Sequence, residues 1–117
     1  MTEYLDKHRE KVLKNETRIK VKTQTLNDIL EENNSPEIID YLSLDTEGTE
    51  LEILKSIDLN KYKFKIISVE HNHMIKRRNE ILKLLTSYNY KLYKSIKADD
   101  FSFINCNQYL TIYYYHF

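Results

Sequence analysis

The chain has 117 residues, of which 41% are hydrophobic and 31% charged, and its 18 basic and 18 acidic residues cancel. That neutral balance removes the electrostatic basis for capturing nucleic acid or an anionic membrane surface. The single cysteine, Cys106, excludes an intramolecular disulfide and a cysteine-built zinc site.

A free thiol fits a reducing, cytoplasmic compartment. Residues 1–18 read as a charged helix with a thin apolar stripe at Leu5, Val12 and Leu13, and lack the apolar core of a signal peptide. No window approaches the roughly 18 apolar residues that a membrane span needs. Ile19, Val21 and Thr23 alternate with Lys20, Lys22 and Gln24, the pattern of a strand with one wet face. Thr25 stands where it can cap a helix through Leu26, Ile29 and Leu30. Asn33-Asn34-Ser35-Pro36 is a loop, because Pro36 fixes its own φ and restricts Ser35.

Ile38 to Leu44 form an apolar run suited to a strand with helices over both faces. It ends in Asp45-Thr46-Glu47-Gly48-Thr49-Glu50, which contains the only glycine of the chain. A helix follows, with Leu51, Leu54 and Ile57 on one face and Thr49 and Glu52 at capping-box spacing. Phe64 to Glu70 form the next strand, leading into His71-Asn72. Ile81, Leu82, Leu85 and Tyr88 mark the buried stripe of a helix near 75–88. Two late strands follow, Tyr90 to Ile96 and Phe101 to Ile104, and the aromatic segment 109–117 reads as an edge strand or hydrophobic tail. Strand and helix alternate, so the expected fold is α/β with a mostly parallel sheet and an antiparallel edge. Residues 19–108 form its single domain.

Several blocks of this chain resemble the C-terminal part of the FkbM-type methyltransferases. The residues are Val21 to Leu30, Asp40 to Lys55 with its Asp-x-Glu-Gly-x-Glu unit, Tyr62 to Asn72, and Asp99-Asp100-Phe101. The resemblance runs from about Val21 to Ile104. It implies a partial Rossmann-like class I sheet, S-adenosylmethionine as cofactor, and methyl transfer to a hydroxyl of a sugar, lipid or metabolite. Such enzymes begin with a strand and a glycine-containing loop for the cofactor. With Gly48 as its only glycine, the chain carries no such loop, so the N-terminal cofactor-binding half is expected to be absent and no cofactor-binding residue is assigned.

The candidate site residues stand at strand ends, where α/β sheets place their chemistry. Asp45, with Glu47 beside it, would orient and deprotonate the acceptor, and His71 has the reference pKa of a general base near neutral pH. Asp45, Glu70 and Asn72 would line the acceptor site if the two strand ends share one rim. Those three also offer hard oxygen ligands of the kind Mg²⁺ takes, but spacing alone does not assign a metal. Gly48 is read as a structural turn residue. Lys76, Arg77 and Arg78 form a basic cluster that reads as a solvated helix face or a phosphate contact. Two functions are therefore open. One is the acceptor-side half of a methyltransferase that depends on a partner. The other is a non-catalytic interaction module, whose open sheet edge is covered by a second copy or a partner chain.

Overall fold

A computed structural model describes residues 16–105. The expected helix at the N-terminus, the tail at 109–117 and Cys106 lie outside the described residues. In chain order the elements are α1 (Leu26–Glu32), β1 (Ile38–Leu44), α2 (Glu50–Ser56), β2 (Lys63–Glu70), α3 (Ile75–Ser87), β3 (Tyr90–Ile96) and β4 (Asp99–Ile104). Residues 16–25 form no strand, and every one of them is exposed. The alternation at Ile19, Val21 and Thr23 is therefore not a strand, because among the described residues nothing pairs with it. Thr25 does cap α1, its Oγ1 accepting the Asp28 amide at 3.1 Å.

The four strands make one sheet in the order β1-β2-β4-β3. β1 and β2 pair in parallel, with Leu44 opposite Val69 and Ser43 opposite Ser68. β2 pairs antiparallel with β4, and β4 antiparallel with β3. The sheet is therefore mixed, and the expectation of a mostly parallel sheet is corrected: only the β1–β2 pair is parallel. The cause is local. Lys97 adopts a left-handed φ of 55° and turns β3 tightly back into β4, so no crossover helix separates them. β4 then enters the sheet between β2 and β3 rather than lying at its edge.

The core is built on one face of this sheet. Leu44, Ile67 and Val69 meet Leu51 and Leu54 of α2 and Ile81 and Leu85 of α3, all of them buried. Burying each such side chain contributes about 1.5–3 kcal/mol. On the opposite face Tyr41 and Ile66, which are neighbours in the register, are 51% and 44% exposed. β1 is therefore covered by helices on one side and not on both, among the described residues.

Candidate functional site

β1 and β2 run in parallel, so their carboxyl ends emerge on one rim. That places Asp45, just after β1, beside Glu70, the last residue of β2. Glu47 joins them because the turn reverses sharply, with φ of 55° at Glu47 and 121° at Gly48. Asp45, Glu47 and Glu70 each bring a carboxylate oxygen within 4.8 Å of the others. Asp45 and Glu47 are exposed and Glu70 is half-buried.

This crowding changes the chemistry of Glu70. Its Oε2 is sealed from water, and among the described residues no N–H or hydroxyl donates to it. The Glu70 carboxyl meets that of Asp45, and two carboxylates bond each other only when one carries a proton. A hydrogen bond shared with Asp45, then burial, then the charges of Asp45, Glu47 and Asp99, push Glu70 up to about 7. The folded protein thus holds this proton more tightly than the unfolded chain does. The stability so contributed is full below the ordinary carboxylate value of 4.5 and is lost as pH rises through about 7.

The turn is held from inside. Glu50, the first residue of α2, is 1% exposed. Its Oε1 accepts the amides of Thr46 at 2.8 Å and Gly48 at 3.2 Å, and the Thr46 hydroxyl at 3.2 Å. These bonds outweigh burial and hold the Glu50 carboxyl below the usual range. The expected capping box is therefore corrected. Thr49 makes no side-chain cap bond, and Glu50, not Glu52, satisfies the free amides ahead of α2. Gly48 has a φ of 121°, where side chains are rarely tolerated.

His71 and Asn72 do not join the cluster. Strand alternation turns His71 to the opposite face from Glu70, under α3, where it is buried. Its Nδ1 accepts the His73 amide at 3.1 Å, leaving the proton on Nε2, which lies 3.7 Å from Asp100 Oδ1. Asn72 is exposed in the following turn with φ of 49°.

The basic cluster is not a solvated face either. Arg78 forks onto Asp100 at 2.6 and 3.1 Å and reaches Ser95 at 3.1 Å. Arg77 donates to the Gly48 carbonyl and lies 4.0 Å from Glu50. Neither link was visible in sequence, where the partners stand 22 and 29 residues apart. Only Lys76 of the three is exposed.

Comparison with known proteins bears on what this rim belongs to. No curated protein and no solved structure matches the chain. The family model of the methyltransferase FkbM domain matches residues 3–92. That match takes in β1, the acidic turn, β2 and α3, and stops within β3. Three carboxylates converge at the ends of two parallel strands of this matched segment, and the chain belongs to the FkbM methyltransferase domain family.

Proposed function

We propose that this chain supplies the acceptor side of a methyl transfer, with the Asp45–Glu47–Glu70 cluster handling the acceptor. The observation that carries the reading is the Glu70 carboxyl, pushed up to about 7 against Asp45 at the rim of the sheet. A group poised there can take the proton that an acceptor hydroxyl sheds, an effect that contributes about 10²–10⁴-fold when the base is placed within hydrogen-bond reach. Asp45, the exposed partner, would hydrogen-bond the hydroxyl and fix its direction. A hydroxyl on a sugar, lipid or metabolite suits this chemistry.

The FkbM methyltransferase family is generally dependent on S-adenosylmethionine. The described residues do not fit that cofactor by themselves. The only glycine turn of the chain is closed on itself, its amide bound by Glu50 and its carbonyl by Arg77. The methyl donor is therefore assigned to a second chain, and no step here is drawn through it.

The test is methyl transfer from radiolabelled S-adenosylmethionine to a panel of hydroxyl acceptors, with a partner chain supplying a glycine loop. Asp45→Asn and Glu70→Gln are each expected to lower turnover by about 10²-fold or more. Full activity of both variants would remove the cluster from the reaction.

One observation favours a second reading. Tyr41 and Ile66 are exposed beside β1, whose outer edge pairs with no strand among the described residues, and this suits docking of another chain. In that reading the domain is a non-catalytic module, and no acceptor would be methylated under any pairing.

A further inference from the structure

Asp45 and Glu47 belong to the turn after β1, whereas Glu70 ends β2. The parallel register of β1 and β2 sets the backbone of Asp45 beside that of Glu70, and what ties the turn to the β2 side fixes how the Asp45 and Glu47 carboxylates face Glu70. The turn's own bonds are local: Glu50 binds Thr46 and Gly48, and the Thr49 hydroxyl bonds the Thr46 hydroxyl at 2.9 Å. Among the described residues, one side chain crosses from α3, which follows β2, to this turn. It is Arg77, whose Nη1 donates to the Gly48 carbonyl.

The fit around that bond is close. A Cβ on Gly48 would stand 3.0 Å from Arg77 Nη1, so the glycine leaves the space the guanidinium fills. Glu50 Oε2, buried and 4.0 Å from Nη1, supplies the countercharge that keeps the guanidinium in place. The Arg77 side chain as a whole is 26% exposed. The guanidinium is a planar fork on a stiffer head than a flexible ammonium, and one of its nitrogens, Nη1, faces both the Gly48 carbonyl and the buried Glu50 carboxylate.

We propose that Arg77 is a positioning residue for the carboxylate cluster, gripping the Gly48 carbonyl so that the turn delivers Asp45 and Glu47 to Glu70. It touches no substrate and acts through the backbone of the turn. The inference rests on the acceptor-side reading for its meaning, but its test needs neither substrate nor cofactor.

That test is the pH titration of the Glu70 carboxyl carbon by NMR in the folded wild type and in Arg77→Gln. The two explanations of an effect have opposite signs. Removing a positive charge near a carboxylate cluster raises the carboxyl's pKa, whereas letting Asp45 and Glu47 swing away lowers it. Positioning therefore predicts that the Glu70 midpoint falls from about 7 by about one pH unit or more, a tenfold loss of proton affinity. A midpoint that stays in place or rises overturns the proposal. Should Arg77→Gln not fold, Arg77→Lys carries the same two outcomes, because it keeps the charge but lacks the fork. Absent methyl transfer would count against the acceptor-side reading and leave this titration unaffected.

Discussion

Arg78→Ala is expected to destabilise the fold by about 3–5 kcal/mol, the typical cost of leaving one charge of a buried pair uncompensated. Asp100 is 5% exposed in its side chain and accepts both arms of the guanidinium. Ser95 adds a bond at 2.6 Å, and among the described residues the other basic side chain paired with Asp100 is His71, 3.7 Å away. Against a total stability of about 5–15 kcal/mol for a small domain, the loss is large. Ser95→Ala removes one neutral donor and is expected to cost only about 1 kcal/mol. The pair also sets an acid limb. Burial alone would raise the Asp100 carboxyl, but bonds to Arg78 and Ser95 and the nearby charge hold it below its ordinary 3.8. A depressed carboxyl contributes stability that is present above the unfolded value and lost as pH falls through the folded one. Urea unfolding should therefore show a wide gap between wild type and Arg78→Ala at pH 7, narrowing below about pH 4. Equal stability at pH 7 would mean that the pair is not what ties α3 to the β3–β4 hairpin.

Gly48→Ala carries the second large effect. A φ of 121° is a conformation that L side chains rarely adopt, so the added methyl strains the backbone at any spacing. Holding a residue in such a region costs about 1–3 kcal/mol. The new Cβ also stands 3.0 Å from Arg77 Nη1 and must displace it. Both consequences act on the acidic turn, so loss of stability should come with a Glu70 that titrates closer to 4.5 than to 7. Thr49→Ala is the contrast one residue along. Thr49 makes no side-chain cap bond and only an exposed hydroxyl bond to Thr46 at 2.9 Å, so a change of about 0.5 kcal/mol is expected for a surface site of this kind. Thermal unfolding of the two variants beside wild type checks the difference.

What was legible in the sequence follows from how far each signal reaches along the chain. Thr25 as a cap, the stripe of Ile81 and Leu85, and the apolar runs of β1 and β2 are local patterns, and each marks its element. The Asp45–Glu70 meeting was also legible, because parallel neighbours place their ends on one rim. The antiparallel pairing of the two late strands was expected, but the pairing of β4 with β2 was not. The Lys97–Ala98 turn contains no glycine or asparagine to announce a tight hairpin, and nothing local says that β4 pairs with β2 as well as with β3. The strand pattern at 19–24 shows the converse, a correct period with no partner among the described residues. At Thr49 and Glu52 the capping-box spacing is present, yet Glu50 takes the amides because its carboxylate is folded inward under the turn. Arg77 and Arg78 look like solvent-facing neighbours in sequence. Their partners, Gly48 and Asp100, come close only once the sheet is assembled.

The central claim is that this chain contributes the acceptor side of a methyl transfer and leaves the methyl donor to other residues. Calorimetric titration of the purified 117-residue chain with S-adenosylmethionine tests that most directly. The account predicts no saturable binding by the folded chain alone, since its only glycine turn is closed by Glu50 and Arg77. Saturable micromolar binding would contradict it and place a cofactor site on this chain itself.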